Sequence, residues 1–474
     1  MTTLRLDDGH RGDTIRRQVD VLVVGGGPCG LTAALAAARR GLSVELVEAA
    51  PSLGGMAASF TVAGQRVDLG SHRLHPSAPP GVLELLNGLL GSDLQARERN
   101  GRLRLRDRWV RFPLRPGDMA RNLPPACVIG AATDALIGPF RRATDDSYAE
   151  FVRAGLGSST LTEFHGPMAT KLWGLPPERL SAELARKRIS QRTPTRILAR
   201  VASTTRNRGA TFLYPRHGYG QITERLAEAA TEHGARLRTG CSVVSLAGDA
   251  HRPTATLSGG EAVTAGRVLW TAPADTLRNP LGLEPVPTPP MRGMVLVYVG
   301  IDQSRYTPFD AHYVPTPGIA FSRFSEPKNY RNGPDPADRS VLCFEIPCSF
   351  GDEIWSGADD GLVGLALDGL ARLGLPTVRT VETAVRRLRS VYPVLTLDDA
   401  EPGEHPGSRT IRPGSEAVPG VTVLGRQGLA VADNLHHVID MALSAVDCLD
   451  EDVQWRDDVW LGHRRRFEHF VVED

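Results

Sequence analysis

The chain has 474 residues, with 55 Lys and Arg against 54 Asp and Glu and a formal net charge of +1. That length suits two interleaved domains, and the balanced charge offers no case for nucleic acid or an anionic membrane as partner. Six cysteines, at 29, 127, 241, 343, 348 and 448, fall without CxxC spacing, so neither a disulfide framework nor a metal site is suggested. The polar first 18 residues read as a flexible leader without the apolar core of a signal peptide, and no stretch is apolar for long enough to span a bilayer. A cytoplasmic protein that acts on a small molecule is the expectation.

The first ordered unit starts at residues 21–24, a short apolar run of strand type. It breaks into Gly25, Gly27, Pro28, Cys29 and Gly30, which carry the G-x-G-x-x-G spacing, and continues as an Ala-rich helical run over 31–40. Each glycine has a physical reason. The first makes a tight turn, the second lets a pyrophosphate approach the backbone, and the third lets helix and strand pack closely. The pyrophosphate then sits on a helix N-terminus, where free N–H groups and the dipole favour an anion. A second strand, 43–47, ends in Glu48, placed to accept hydrogen bonds from a ribose diol and unsuited to a 2′-phosphate. The bland alternative, a glycine-rich turn without a ligand, does not account for all of these features in this order.

Just beyond Glu48, residues 49–55 (APSLGG preceded by Ala) end in the pair Gly54-Gly55. This resembles the glutathione-reductase-type FAD fingerprint of amine oxidases, protoporphyrinogen oxidases, phytoene desaturases and UDP-galactopyranose mutases. The resemblance implies FAD rather than NAD, with Gly54, Gly55 and Met56 passing close to it. Gly70, Ser71, His72 and His75 then match the Gly-small-His-x-x-His segment of the mutases, which implies a place at the flavin ring. Read without the resemblance, they are a turn with two surface histidines.

From 79 to about 197 the chain leaves the nucleotide-binding pattern. Residues 81–90 and 180–188 have helical periodicity, and 101–113 read as two short strands whose arginines (102, 104, 106, 108, 111) form either a solvated stripe or a phosphate-binding one. Residues 171–177, KLWGLPP, resemble a KxWGxPP element of bacterial FAD oxidoreductases, with Trp173 packed and the proline pair starting a helix. Residues 214–221 return to the nucleotide domain, an amphipathic helix follows over 222–233, and strands over 235–246, where the resemblance implies Val243 against the adenine.

A second excursion starts with the strand 291–301. Residues 321–330 resemble the R-x-x-E-x-K segment of the mutases through Arg323, Glu326 and Lys328, whose alternative is a surface ion-pair cluster of little energetic weight. A last strand, 421–424, ends in Gly425-Arg426, and Asn434 is placed to cap a helix over 435–449 whose N-terminus, with Leu435 and Val438, the resemblance sets at the flavin.

The expected architecture is α/β. A glutathione-reductase-type Rossmann FAD-binding domain (19–78, 213–288, 396–450) is interleaved with an α+β substrate domain (79–212, 289–395), followed by a tail, 451–474. The departures from the mutases matter too. Positions that hold phosphate-binding tyrosines there are Ala430, Ala432 and Asp433 here, which argues against UDP-galactopyranose as substrate. His72, His75, Arg323, Lys328 and His436 are the candidate catalytic residues, with the histidines as bases. No cysteine stands beside the last glycine motif, so FAD is expected to be non-covalent. The expected reaction is hydride removal from an amine- or hydroxyl-bearing carbon, with O2 or another electron acceptor; the alternative is a redox-neutral flavin-dependent rearrangement. High Arg and Ala with few Lys suggests a high-GC genome, where the superfamily's presence in natural-product pathways hints at secondary metabolism, such as antibiotic biosynthesis, and at an aminosugar- or cyclitol-like substrate.

Overall fold

The first strand, Arg16–Val24, is the spine of a seven-stranded sheet. Val21 and Val23 face one hydrophobic cluster and Leu22 and Val24 another, so the strand is buried on both faces and its sequence runs apolar without alternation. It pairs in parallel with Val44–Val47 on one side and Ala262–Trp270 on the other. Arg236–Arg238 extends the parallel set beyond Val44–Val47, and Val421–Val423 extends it beyond Ala262–Trp270. The antiparallel strands Val243–Ala247 and Thr254–Leu257 complete the sheet. This computed structural model describes residues 16–137, 141–189, 211–249, 251–282, 284, 290–398, 420–429, 431 and 433–472. The proposed leader therefore lies mostly outside the described residues, and its last part is corrected: Arg16 to Gln18 pair with Ala262 to Thr264, because an available ladder extends a strand past its apolar run.

The helices Pro28–Arg39, Gln221–Glu232 and Leu435–Asp447 cover one face of this sheet through a shared cluster. Arg40 ties the first of them to the last, donating to the carbonyls of Val446 (2.6 Å) and Leu449 (2.8 Å). A cation on the C-terminal carbonyls of a helix is favourable for the dipole as well as for the orphan acceptors.

A second seven-stranded sheet runs in the order Thr380–Pro393, Met291–Ile301, Ser340–Ser349, Arg323–Ser325, Ala311–Tyr313, Gly101–Leu105, Arg108–Phe112. Its Val295, Val297, Val299 and Phe344 pack on the helix Asp359–Arg372. Its opposite face, with Leu296 and Tyr298, packs on Val62 and Val67 of the hairpin Ser59–Val62/Gln65–Asp68 that follows the second glycine turn. The substrate sheet thus sits directly on the nucleotide-binding unit. The KxWGxPP segment packs Trp173 as expected, but Pro176 and Pro177 lead into a turn; the helix starts at Ala182, where the Ser181 hydroxyl accepts from the Glu183 N–H at 3.2 Å.

Asp68 ties the pieces together. Its carboxylate accepts from Ser59 Oγ (2.5 Å), the Tyr219 N–H (2.9 Å) and Tyr214 Oη, and its carbonyl accepts from Tyr298 Oη (2.5 Å). Asp68→Ala would leave two buried donors and the half-buried Ser59 hydroxyl without this acceptor, and we expect a loss of about 3 kcal/mol or more of unfolding free energy, against about 1 kcal/mol for Asp68→Asn, which keeps one acceptor oxygen. Denaturant midpoints at constant m-value measure the two; equal losses would refute a hydrogen-bonding role for the carboxylate.

Candidate active site

The glycine turn divides its tasks as the spacing implies. Gly25 has φ +109°, and a Cβ there would meet Thr271 Oγ1 at 2.5 Å. A Cβ on Gly30 would stand 1.9 Å from the Gly25 carbonyl oxygen, whereas one on Gly27 would meet nothing within 4 Å. The open position therefore lies at the N-cap of the helix Pro28–Arg39. The second glycine turn lies against the first. The Gly54 N–H donates to the Gly26 carbonyl at 2.8 Å, Gly54 and Gly55 both have positive φ, and a Cβ on Gly55 would reach Gly27 Cα at 3.2 Å. Met56 forms the short turn that follows. Glu48 holds the other end: its carboxylate accepts from the N–H groups of Gly26 (2.6 Å) and Ala50 (2.8 Å). The Glu48 carbonyl accepts from the Cys241 N–H at 2.9 Å, which brings the buried Val243 strand alongside. An uncrowded backbone between two glycine turns, on a helix N-terminus, fits a pyrophosphate.

At the far end of the hairpin Gly70 turns the chain with φ +94° into Ser71 and His72. Arg323 and Glu345 form a bidentate pair here, Nε to Oε1 at 3.0 Å and Nη2 to Oε2 at 2.7 Å. Glu345 Oε1 also accepts the Ser71 N–H at 3.0 Å, Arg323 Nη2 reaches the Ser71 carbonyl at 3.3 Å, and Ser71 Oγ meets Tyr330 Oη. Burial opposes the Arg323 charge, yet Glu345 outweighs it and holds the guanidinium protonated. Arg73 lies between the rings of Phe212 and Tyr330, 5.4 and 5.2 Å from their centroids, and donates to Asp310 Oδ1 and Tyr313 Oη, both at 3.1 Å. His72 stacks on Tyr219 at 5.0 Å with its Nε2 3.0 Å from the Leu69 carbonyl. A carbonyl only accepts, so Nε2 carries the proton and Nδ1 the lone pair. Burial lowers the His72 pKa against the opposing pull of Asp68, which keeps the ring neutral near pH 7.

The last element meets the first at Gly425, where a Cβ would stand 3.2 Å from Cys29 Sγ. Burial, with Asp433 nearby, pushes the Cys29 thiol far above its ordinary pKa. Arg426 pairs with Asp433, Nε to Oδ1 at 3.3 Å. Asp433 Oδ2 is buried without a hydrogen-bond partner, and burial pushes its carboxyl up to about 7 despite Arg426. Asn434 is the N-cap of the helix Leu435–Asp447, and its N–H donates to His437 Nδ1 at 3.0 Å. Leu435 is half-buried and Val438 buried in that first turn. Ala430 and Ala432 lie outside the described residues.

Several expectations are corrected. Lys328 donates to the carbonyls of Ser304 (2.8 Å), Pro336 and Arg339 (2.9 Å), which uses all three of its hydrogens and makes it a loop clamp. Glu326 is fully buried, accepting from the N–H groups of Tyr306 (2.8 Å) and Thr307 (2.9 Å) and from Ser340 Oγ (2.7 Å), so Arg323 alone of the R-x-x-E-x-K triad reaches Ser71. His75 Nδ1 faces the Ser77 hydroxyl at 2.5 Å and closes the turn after His72. His436 is buried in ring contact with His437 at 4.0 Å, and His437 stacks at 4.1 Å on Phe470, which follows the C-terminal helix Asp457–Phe467. The arginine stripe is broken where Arg106 and Asp107 take positive φ in the hairpin turn. Sequence reasoning missed Arg73, Asp310, Tyr330 and Glu345. The available signal was Glu345 itself, a lone acid inside the apolar strand 341–347.

Two glycine turns packed together beside Glu48, with a second sheet seated over the hairpin that follows them, define an α/β fold of a Rossmann-like domain with a substrate domain. The chain belongs to the flavin-containing amine oxidoreductase family, whose profile matches residues 28–397, and is a flavin-dependent oxidoreductase. Among solved structures it is similar to reduced UDP-galactopyranose mutase, with a TM-score of 0.77 and 19% identity over 96% of this chain and 100% of that one. It is also similar to a protein assigned as a protoporphyrinogen oxidase from Exiguobacterium sp. (TM-score 0.70, 19% identity, 91% and 98% covered). Putrescine oxidase bound to putrescine follows at TM-score 0.61, 16% identity and 91% and 99% coverage. At these identities the likeness is one of fold. No curated protein sequence matches the chain.

The turn geometry separates two glycine variants. Gly27→Ala meets no neighbour, so we expect a melting temperature of the flavin-free protein within about 2 °C of wild type but loss of most bound flavin. Gly30→Ala clashes with backbone and should fold poorly, costing about 3 kcal/mol or more. Flavin absorbance per mole of protein, read beside melting curves, checks both; full flavin content in Gly27→Ala would refute the cradle.

Proposed function

We propose that the protein binds FAD non-covalently and removes a hydride from an amine- or hydroxyl-bearing carbon of a small polar metabolite, with O2 or another acceptor taking the electrons. The observation that carries this reading is charge pairing. Both buried arginines at the His72 end have their own carboxylate, Arg73 with Asp310 and Arg323 with Glu345. Neither guanidinium is left to hold a sugar-nucleotide diphosphate, and Asp433 adds a further acid near the cradle. An uncharged or cationic substrate suits such a site.

Gly25, Gly27, Pro28, Cys29, Gly30, Gly54, Gly55 and Met56 would flank the pyrophosphate, Glu48 the ribose and Val243 the adenine. Gly70, Ser71 and His72 would face the flavin, with Gly425, Arg426, Asn434, Leu435 and Val438 closing its other side. When bound, FAD supplies a hydride acceptor. The chain's own contribution is position and proton transfer. Arg323 and Glu345 fix the Ser71 backbone from both sides, and His72, with Nε2 committed to Leu69, offers Nδ1 to the proton of the substrate N–H or O–H. A sugar-, aminosugar- or cyclitol-like substrate in secondary metabolism is supported by genome composition and superfamily resemblance alone.

Anaerobic addition of candidate amines and sugar alcohols should bleach the flavin band, and re-aeration should restore it. Turnover that requires prior reduction by dithionite, with no net electron uptake, would replace this reading with a redox-neutral rearrangement. Because burial lowers the His72 pKa, its base form persists as pH falls, and the acid limb of the reductive rate should lie below pH 6.5. His72→Gln should slow reduction about 10²-fold or more and remove that limb; an unchanged pH profile would exclude His72 as the base.

A further inference from the structure

The helix Ala182–Arg188 ends in a cation that the fold leaves unpaired. The half-buried Arg188 guanidinium lies over the rings of Tyr392 and Trp173, 4.4 and 5.1 Å from their centroids. Among the described residues no carboxylate pairs with it and no acceptor takes its N–H groups. Its charge is felt at Tyr148, where it opposes the rise that burial imposes on the phenol. Tyr148 packs on Trp173 at 5.6 Å, and its hydroxyl lies 3.3 Å from Nδ1 of His165, which burial pushes down to about 4 and so keeps neutral. Trp173 Nε1 is buried without a hydrogen-bond partner. The cluster thus presents a guanidinium and an indole N–H, both donors, with no acceptor for either. Aromatic rings hold a guanidinium by its plane and leave its N–H edge free. Such an edge matches a carboxylate, whose two oxygens take two parallel N–H bonds.

The place of the cluster in the fold says whose carboxylate it is. Arg292 is the cross-strand partner of Tyr392, and its Nε donates to the Leu172 carbonyl at 3.2 Å, which ties the end of the Trp173 helix to the strand Met291–Ile301. Four residues along that strand, on the same face, Leu296 lies against Gly70, where a Cβ would meet its Cδ2 at 3.7 Å. The Gly70–His72 turn and the Arg188 cluster therefore overlook one face of one sheet, about 13 Å apart along the strand. Between them Leu388 and Ser390 are only half-buried. The Ser390 carbonyl accepts from Gln427 Nε2 at 3.1 Å, and that nitrogen is 3.9 Å from Met56 Sδ, so this stretch of sheet runs past the second glycine turn.

We propose that Arg188, held by Trp173 and Tyr392, binds a carboxylate at the end of the substrate remote from the reacting carbon. The inference rests on the reaction proposed above and adds a class of molecule to it: an amine or alcohol that also bears a carboxylate, the two joined by an extended chain. An α-amino acid, whose carboxylate adjoins the reacting carbon, does not span the distance. The closed ion pairs at the His72 end keep anions from the reacting carbon, and Arg188 gives the anion a separate place.

The test reads binding without turnover, from the flavin spectrum and tryptophan fluorescence of the flavin-loaded protein, with 8-aminooctanoate, octylamine, alanine, octanoate and octyl phosphate as probes. Wild type should bind 8-aminooctanoate about tenfold or more tighter than octylamine, and alanine should not compete. Arg188→Met, which keeps an apolar stem against both rings, should abolish that preference and leave octylamine affinity within about twofold. Arg188→Lys should retain about threefold of it. Wild-type flavin content and melting temperature in both variants show that the fold is intact. Equal wild-type affinity for the two amines, or a preference that survives in Arg188→Met, overturns the proposal. Octyl phosphate bound about tenfold tighter than octanoate overturns it in favour of a phosphoryl group. If the carboxylate preference holds but no amine or hydroxy acid ever bleaches the flavin, the anion site stands and the hydride-transfer reading falls.

Discussion

The structure depends on one residue, Asp68, whose carboxylate and carbonyl together join three chain segments. Asp68 ends the hairpin that follows the second glycine turn, and its oxygens take donors from Ser59 within the hairpin and from Tyr214 and Tyr219 on the segment returning to the nucleotide domain. Its carbonyl takes Tyr298 from the central strand of the other sheet. A buried carboxylate is costly unless several donors surround it, so the arrangement holds only when all these segments are in place. The next four residues are Leu69, Gly70, Ser71 and His72. The orientation of the candidate base therefore follows from the same node that joins the two sheets, and His72 also stacks on Tyr219 beside it.

Electrostatics at that end of the molecule are organised as closed pairs. Arg323 and Glu345 face each other across adjacent strands in register, and both bond to the backbone of Ser71. Arg73 spans Asp310 and Tyr313 between two aromatic rings. Buried ion pairs of this kind add little net stability, because desolvation offsets most of the attraction. Their effect here is geometric, since a bidentate guanidinium–carboxylate pair fixes direction as well as distance. The same closure means that the charged groups are already spoken for, so recognition falls to shape and to the lone pair and hydroxyls that remain.

The nucleotide-binding half was the more legible in the sequence because its constraints are local. Gly25, Gly27 and Gly30 each answer a steric demand set within a few residues, and Glu48 ends a strand whose burial is visible in its composition. The strand 291–301 was readable for the same reason, its apolar pattern. The His72 end was legible only in part. Its pairs join residues 22 to 274 positions apart, Arg323 to Glu345 and Ser71 to Glu345, and no spacing rule links them. Lys328 shows the converse failure. The residue type and motif suggested chemistry, but an ammonium within reach of three carbonyls closes a loop, and only the fold reveals those carbonyls. For His436 and His437 the position at a helix start did not show that Phe470, beyond the C-terminal helix, would stack on the second of them.

Net charge and the placement of charge answer different questions. A total of +1 says that attraction to any extended charged surface averages out, yet averages are dominated by where the charges are cancelled. Inside, Arg73, Arg323 and Arg426 are each held by an acid. On the surface of the substrate domain the exposed arginines Arg108, Arg111, Arg115, Arg121 and Arg142 fall in sequence between the exposed acids Asp107 and Asp145. Screening at physiological salt limits exposed charges to a range of about 8 Å, so a bilayer or any other large partner meets the local set and not the total. The chain's balanced composition and its closed internal pairs are thus compatible, because one is a sum over the whole chain and the other is the field at a single place.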